Sequence, residues 1–560
     1  MGSLQDPPGP VPNRSPGGRN ADFQCPRGPV PCAPVSAPTD PHSTIPDRLA
    51  NAGGLKKGVA RELSRDTGLH EADIYGVGSF YHLLARPEKR VRVCGGLSCQ
   101  LAGSREILSA CQAAGLPTEE ISCLAACDRA PAVLRDRRTL PMVTIQDAER
   151  SGGKVEDLCS NGSESVWCGT IGPQEADAET LCLNLSAEPD WSGSAFNAAS
   201  TMEPSALFDL IEESGLQGRG GAGFPAHIKW RAVADQAEQE RYIVLNADEG
   251  EPGTFKDREI LLRRPDLVLE GLAIAAAATG SSEIYLYLRG EFEVPGGVLA
   301  EAIQATTEAG RFPGITFHMH AGQGAYICGE ETAMLEALEG KRGMPRLKPP
   351  FPVEIGLWNK PTLIHNVETI ACIPGIVLQG GTWFKDLGRT EAGSKLYCVS
   401  GHVQNPGTYE LPLGVSLDEL VEAAGGYVGT LKAFSPGGAS SGFLPASERG
   451  RALDFKGLGA IGSMLGSAGV VVLNDTINMR WAAEEQLRFF EEESCGQCAP
   501  CRIGTHYLHA AVKGGEEKSL GLTHVADVAW QMNEGSICGL GQAAALPLTS
   551  ALKYFPEDFA

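Results

Sequence analysis

Cys495, Cys498 and Cys501 follow one another at intervals of three in ESCGQCAPCRIG, and Cys538 comes thirty-seven positions later in SICGLGQ. Three thiolates on one tight loop can grip three corners of a 4Fe-4S cube while a distant fourth closes the site, and the softness of sulfur selects iron–sulfur or zinc over harder ions. A structural zinc site with four thiolates is the alternative, but it normally comes as two separated C-x2-C pairs, each on its own knuckle, for which three equally spaced cysteines are poorly placed. The chemistry that follows is single-electron transfer.

A second group lies nearer the N-terminus. Cys94 and Cys99 in VCGGLSCQLAGS are separated by four residues, and Cys123 and Cys127 in ISCLAACDRAPAV by three. This C-x4-C then C-x3-C arrangement gives two ligands to each iron of a 2Fe-2S rhomb. Between the pairs, GSREILSACQAAGL has the apolar period of a helix, so the segment reads strand, ligand loop, helix, ligand loop, as in a thioredoxin-like fold. Reduced structural thiols are the alternative for these four. Cys25, Cys32, Cys111, Cys159, Cys168, Cys182, Cys328, Cys372 and Cys398 show no pairing that demands a disulfide framework.

Three further patches could hold a nucleotide. GLQGRGGAGFPAHIKW carries Gly218, Gly220, Gly221 and Gly223, but the preceding PSALFDLIEESGL reads as a helix rather than the strand a standard dinucleotide fold places before its glycines. The loop is either a nucleotide loop of non-classical type, with Arg219 and Lys229 adding charge to its backbone N–H groups, or a tight turn. NADEGEPGTFKDR puts Asn246, Asp248, Glu249 and Glu251 after the apolar strand RYIVL, where carboxylates suit ribose or ribityl hydroxyls. GAYICGEETAMLEALEG starts a helix behind Gly329 with Glu330 and Glu331 in its first turn, a place the helix dipole also favours for acidic caps.

The elements that must position these groups divide the 560 residues into several domains. Residues 1–45 are rich in Pro, Gly, Ser and Asn and are expected to be disordered. Residues 46–151 read as a helical bundle leading into the thioredoxin-like 2Fe-2S domain, and 152–195 as a Gly, Ser and acidic linker. Strands such as RYIVLNAD, EIYLYLRG and ITFHMHAG alternate with helices over 196–375, an α/β nucleotide domain, and LVLEGLAIAAAATG reads as a core helix. Short strands, an NPG turn and one amphipathic helix mark 376–473 as a β-grasp module, and 474–560 is helical. The fold class is multidomain α/β.

The net charge of −22 and pI near 5.0 argue against nucleic-acid binding and against an anionic membrane surface. No apolar run reaches the ~18 residues of a membrane span, and the first residues lack a charged and then apolar leader. A reducing, cytoplasmic setting is expected.

Taken together, GRGGAGFP, NADEGEPGTFKD, GAYICGEE, KPPFP, HNVET and ESCGQCAPCR resemble the family of flavin-containing, NADH-oxidising subunits of respiratory complex I. The C-x4-C / C-x3-C domain with YGVGSFY resembles that complex's small 2Fe-2S subunit, here joined in front. The resemblance implies a non-classical Rossmann-like FMN/NADH domain, an SLBB-like β-grasp module and a helical 4Fe-4S domain. It puts FMN against Gly218, Arg219, Gly220, Gly221, Lys229, Asn246, Asp248, Tyr326, Gly329, Glu330, Asn366 and Thr369. It puts NAD near Phe224, Glu251, Glu331 and Phe351, the aromatics being available to stack on adenine. His365 stands where the family has asparagine, and Cys538 lies slightly closer to Cys501 than the family pattern.

Such fusions occur as diaphorase subunits of soluble NAD-dependent formate dehydrogenases and NAD-reducing hydrogenases. The ending SICGLGQAAALPLTSALKYFPEDF is more similar to the formate dehydrogenase beta subunit. That resemblance implies a partner alpha subunit carrying molybdenum or tungsten pterin and further Fe-S clusters, with electrons passing through the C-terminal cluster to FMN and as hydride to NAD+. A hydrogenase diaphorase or a fused complex I-type subunit shares every motif and differs in its partner. A bifurcating hydrogenase subunit is expected to add ferredoxin-like cysteine runs, and a zinc-stabilised scaffold would be colourless.

Overall fold

The computed structural model describes residues 44–160, 181–513 and 521–560. The disorder expected of residues 1–45 therefore lies almost wholly outside the described residues. Thr44 caps the first helix, Ile45–Asn51, through a reciprocal box with Asp47.

The N-terminal domain is a four-stranded sheet in the order β2-β1-β3-β4, with β1 Val91–Cys94, β2 Thr118–Ile121, β3 Val133–Arg135 and β4 Arg138–Leu140. β1 runs parallel to β2, so the chain must cross over between them, and the amphipathic helix Ser104–Ala113 does this while burying Ile107 and Cys111. Both cysteine pairs follow the C-terminal ends of these parallel strands. Cys111 is thus a core residue of the crossover helix.

The next domain holds four parallel strands in the order β7-β6-β5-β8: β5 Tyr242–Ala247, β6 Glu283–Leu288, β7 Thr316–Ala321 and β8 Thr362–Asn366. The winding direction reverses between β5 and β8. That reversal opens a crevice at their C-terminal ends, where open α/β sheets bind ligands. Asn246 and Asn366 are register partners on its two sides. The expected core helix is Pro265–Thr279, buried along almost its whole length, and its Gly271 passes so close to Ile370 that a Cβ would sit 2.3 Å from the Ile370 carbonyl oxygen. Its interruption by Glu270 is resolved by a hydrogen bond from Phe196 N at 2.9 Å.

The β-grasp module has β9 Ser394–Gly401, β10 Gly407–Pro412, β11 Leu431–Ser435, β12 Leu444–Pro445 and β13 Gly469–Asn474, ordered β10-β9-β13-β11-β12 around the helix Leu417–Ala423. The first and last strands, β9 and β13, lie parallel at its centre. The helices Ile373–Gln379 and Gly381–Asp386 pack into the hydrophobic core of the parallel-sheet domain, so the boundary expected at 375/376 falls within a helix. The linker expected over 152–195 also needs correction. Residues 161–180 lie outside the described residues, but Leu183 and Leu185 are buried in the parallel-sheet core, and Cys182, Leu183 and Asn184 donate their N–H groups to Glu410 at 2.7, 3.0 and 2.9 Å.

The C-terminal domain comprises the helices Met479–Glu493, Ala499–Lys513, Val525–Gly535, Gly539–Ala543 and Leu546–Tyr554. No helix among the described residues is long and apolar enough to cross a membrane.

Buried charges tie the domains together. Arg258, fully buried in the parallel-sheet domain, makes a bidentate pair with Asp128 of the thioredoxin-like domain at 2.9 and 2.7 Å, donates to Ala125 O at 2.6 Å, and lies over the Phe255 ring. Lys256 bridges Asp257 at 2.6 Å and Glu368 at 3.0 Å, and Glu368 in turn holds Lys395 of β9 at 2.5 Å. Removing one member of a buried pair strands its partner's charge. Arg258→Met should therefore lower the stability of the assembled domains by about 3–5 kcal/mol, read as an earlier unfolding midpoint in denaturant and faster proteolysis of the thioredoxin-like domain; unaltered midpoints would show that Asp128 finds other compensation.

Candidate functional site

The four N-terminal cysteines converge. Cys94 ends β1, Cys99 lies in the helix Leu97–Leu101, and Cys123 and Cys127 flank the bend after β2. All four are buried. The Cys123 and Cys127 sulfurs are 3.6 Å apart, and Cys94 Sγ is within hydrogen-bonding reach of Cys99 and Cys123. Hydrogen bonds from Cys127 and Cys94 push the Cys123 thiol down against the effect of burial, with the Arg289 guanidinium and the Ala125 N–H assisting. Four thiols gathered in one dry volume fit a 2Fe-2S cluster.

Cys495, Cys498, Cys501 and Cys538 ring a cavity that Ile327 and Pro345 close from the parallel-sheet domain. Cys501 sits in the first turn of the 15-residue helix Ala499–Lys513, whose positive end favours thiolate charge. Gly541 is needed there, because a Cβ would stand 2.8 Å from Cys501 Cβ and 2.5 Å from Ser536 Oγ. Burial pushes the Cys501 thiol up to about 12 and Cys538 to about 11, so metal binding would have to displace their protons. Among the described residues no three His, Cys, Asp or Glu side chains close around a single ion, and four thiols lining one cavity are a ligand set that fits a 4Fe-4S cluster.

The glycine loop lies between the helices Pro204–Ser214 and Ala226–Ala234 and precedes the first strand of its sheet. A bridge between Gln217 and Pro225 and the bond from Gly218 N to Phe224 O, 2.8 Å, close it into a hairpin. Its tip presses on the crevice: a Cβ on Gly220 would meet Asn366 Cβ at 3.0 Å. Gly221 has φ of +141°, outside the range that side chains favour. Thr369 Oγ1 accepts from Arg219 N at 2.8 Å, pinning the loop to the helix after β8.

The Arg219 side chain packs into the protein behind the loop rather than standing on its exposed face. It is fully buried, donates from Nη2 to Ala392 O at 2.9 Å and lies 5.9 Å from the Phe384 ring centre, while Nε and Nη1 have no protein partner. Lys229 does face the crevice side, paired with Glu331 at 2.8 Å, and Lys348 of the KPPFP segment reaches both Glu330 at 2.8 Å and Glu331 at 2.9 Å. Burial alone would raise Glu331, but the two ammoniums hold it down to about 2.

The carboxylates after β5 differ in their partners: Asp248 keeps an unpartnered oxygen, Glu251 is held by Ser440 and Tyr326, and Glu249 binds backbone N–H groups. Glu249 turns inward and caps the helix Lys256–Arg263, accepting from Asp257 N at 2.8 Å and Arg258 N at 3.0 Å; burial, and then Asp257, push it up to about 8. Asp248 keeps one buried carboxylate oxygen without a protein partner, beside Gly329, and burial raises it. Such an orphaned acceptor fits a ligand bearing hydroxyl or N–H donors. Glu330 likewise serves as a helix cap, accepting from Thr332 N and Ala333 N at 2.9 Å each. Asn246 donates to Gly329 O at 2.8 Å, and Asn366 caps the helix Val367–Ala371 while donating to Asp257 at 2.6 Å. Phe224 and Phe351 are 46 % and 49 % exposed, leaving ring faces open.

One turn, Tyr326–Gly329, serves both sites. Gly329 O anchors Asn246, the Tyr326 hydroxyl donates to Glu251, and Ile327 lines the C-terminal cysteine cavity. Buried Glu493, two residues before Cys495, accepts from Tyr326 N at 2.9 Å and from Ser122 Oγ, beside Cys123, at 2.5 Å. Five residues earlier on the same helix, Arg488 donates to Gly95 O, beside Cys94, at 2.9 Å. Sequence reasoning missed Lys348, Glu493 and Arg488, although Lys348 stands in the motif KPPFP and Glu493 opens ESCGQCAPCR.

Family models match in four places: the thioredoxin-like [2Fe-2S] ferredoxin over residues 48–151, the Nuo51 FMN-binding domain over 211–375, the SLBB domain over 396–444, and the NADH-ubiquinone oxidoreductase-F iron-sulfur binding region over 481–560. The NADH-quinone oxidoreductase F 2 subunit of Rhizobium meliloti (strain 1021) is 47 % identical over 371 residues, 64 % of this chain and 88 % of that protein. The chain belongs to the family of NADH-quinone oxidoreductase F subunits. The F subunit of Streptomyces coelicolor is 42 % identical over 376 residues, 64 % of this chain and 84 % of its own. A chain in the crystal structure of an air-oxidized NAD+-reducing [NiFe]-hydrogenase superposes with TM-score 0.83 at 32 % identity and covers 92 % of each chain, a span that includes the thioredoxin-like domain. This relative of the F subunits thus carries an FMN- and NADH-binding domain together with 2Fe-2S and 4Fe-4S domains, as the motifs indicated.

His365, where the family resemblance implies asparagine, is buried in β8 and accepts from Trp230 Nε1 at 2.9 Å. Burial, and then Lys229, depress it to about 3. The unfolded chain therefore binds the extra proton between about pH 6.5 and 3, and the native state loses stability as pH falls through that window, by up to about 1.4 kcal/mol per pH unit. Between pH 7 and 5.5 wild type should lose about 1 kcal/mol more than His365→Asn, compared by thermal melts; parallel losses in the two proteins would refute this assignment.

Proposed function

We propose that this chain is the NAD(H)-reacting diaphorase subunit of a larger oxidoreductase, with FMN in the β5/β8 crevice between the dinucleotide and the C-terminal cluster. What supports this reading is the shared turn Tyr326–Gly329, which touches Asn246 at the end of β5, Glu251 and the cysteine cavity at once. Bound flavin supplies the conversion between a two-electron hydride and single electrons, which NAD and Fe-S clusters cannot make with each other directly.

The chain's own residues bind and orient. Backbone groups of Gly218, Gly220 and Gly221 with Lys229 suit the flavin phosphate, and Asn246 and Asp248 suit its polar edge. Phe224 and Phe351 would flank the adenine, and Glu331 fixes Lys229 and Lys348 beside it. Glu251 would accept from the adenosine ribose. No side-chain nucleophile or general base is required.

For the partner, the hydrogenase-type arrangement has more support than the formate dehydrogenase beta subunit expected from the ending SICGLGQAAALPLTSALKYFPEDF. The hydrogenase likeness spans 92 % of the chain, whereas the formate reading rests on that C-terminal segment. A complex I-type partner is the third arrangement, and a cytoplasmic setting goes with the first two. Metal analysis of the native complex with hydrogen- and formate-dependent NAD+ reduction decides: nickel with hydrogen activity supports the first, molybdenum or tungsten with formate activity the second.

Cys538→Ala should abolish partner-coupled NAD+ reduction yet leave NADH-to-dye activity in an FMN-loaded protein; full coupled activity in a folded variant would remove the cluster from the path. Glu251→Gln keeps shape and removes charge. Like charges ~4 Å apart repel by about 4 kcal/mol at an effective dielectric near 20 before relaxation, so the NADPH:NADH ratio of kcat/KM should rise about tenfold. An unchanged ratio would take Glu251 out of nucleotide selection.

A further inference from the structure

The carboxylate of Glu251 is aimed from outside its own domain. In the β-grasp module, the loop between β11 and β12 brings Ser440 against it: Ser440 N donates to Oε1 at 2.8 Å and Ser440 Oγ to Oε2 at 3.1 Å, while the Tyr326 hydroxyl donates to the same Oε2. Gly438 packs so closely that a Cβ would lie 2.6 Å from Glu251 Cγ and 2.7 Å from Oε1, at a φ of +86°. The approach therefore tolerates glycine alone.

The loop is held from behind as well. Ser435 Oγ and Ser441 Oγ donate to Gly438 O at 2.6 and 2.8 Å, Gly437 N donates to Ser441 Oγ at 3.0 Å, and Phe443 N donates to Ser550 Oγ of the C-terminal helix Leu546–Tyr554 at 2.8 Å. An ionised carboxylate offers about four lone-pair directions. Oε2 holds two donors and Oε1 one, which leaves a single acceptor position on Oε1 unfilled by the protein.

We propose that Ser440, supplied by the β-grasp module, is a positioning residue for dinucleotide selection, fixing Glu251 so that its one open acceptor position meets an unmodified ribose hydroxyl and its charge stays where a 2′-phosphate would come. The proposal rests on Glu251 being the ribose-side carboxylate. Without the Oγ bond, Glu251 gains freedom to swing aside, the repulsion of the phosphate weakens, and the fit to the free hydroxyl loosens.

The test uses the full-length, FMN-loaded protein and reads kcat/KM for NADH and NADPH in dye reduction, with flavin content and thermal midpoint alongside. Ser440→Ala should raise the NADPH:NADH ratio about fivefold, and Ser440→Thr, which keeps the hydroxyl, should hold the wild-type ratio. Adding Ser440→Ala to Glu251→Gln should change the ratio no further, because coupled residues are non-additive. If Glu251→Gln shifts the ratio but Ser440→Ala does not, or adds its full effect in the Glu251→Gln background, Ser440 does not act through Glu251 and the proposal falls while the role of Glu251 stands. Equal losses for both nucleotides in Ser440→Ala, or a shifted ratio in Ser440→Thr, overturn it too. If Glu251→Gln itself leaves the ratio unchanged, both ideas fail together.

Discussion

The buried carboxylate of Glu493 ties the two cysteine-lined sites to the turn Tyr326–Gly329. It receives one hydrogen bond from Ser122, next to a cysteine of the thioredoxin-like domain, and one from Tyr326 N in the turn Tyr326–Gly329, and it lies two residues before Cys495. A buried carboxylate without donors is costly, so these bonds act as mutual obligations. The Glu493 carboxylate is satisfied only when the other two domains present their donors.

The same logic recurs at larger scale. Arg258–Asp128, Lys256–Glu368–Lys395 and Glu410 with its three N–H donors all lie on domain boundaries, where apolar packing of equal volume could have served. Buried pairs add little net stability over such packing, but they tolerate few alternative registers. Here register matters, because Asn366 takes a hydrogen bond from Lys256 at 3.3 Å and also meets the glycine loop. Displacement of the β-grasp strand β9 would be felt through Lys395 and Glu368 at the crevice itself.

The sequence was most legible where chemistry demands fixed spacing. The two cysteine sets, the strand before NADEGEP and the helix before the glycines could all be read, since ligand geometry and periodicity are local properties. The strand Thr362–Asn366 escaped because five residues after a proline carry no alternation to detect. For Glu249 and Glu330 the sequence could not separate ligand contact from capping, because a carboxylate at a strand end or helix start looks alike whether it meets a ribose or caps a helix. The fate of Arg219 depends on Ala392 and Phe384, more than 150 residues away, and that of Glu251 on Ser440. No local pattern encodes such long-range partners.

The helix Met479–Glu493 is also a ruler. Arg488 and Glu493 grasp Gly95 and Ser122, neighbours of two N-terminal cysteines, and their five-residue separation spans about 7.5 Å of helix axis. Cys495 follows two residues later, so the offset between the two sulfur-lined sites is written as a residue count rather than as the identity of any side chain. Substitutions along the exposed face of this stretch leave that count intact. A single inserted or deleted residue would turn one grasping side chain by roughly 100° relative to the other, so in this family the interval from Arg488 to Cys495 should vary in composition long before it varies in length.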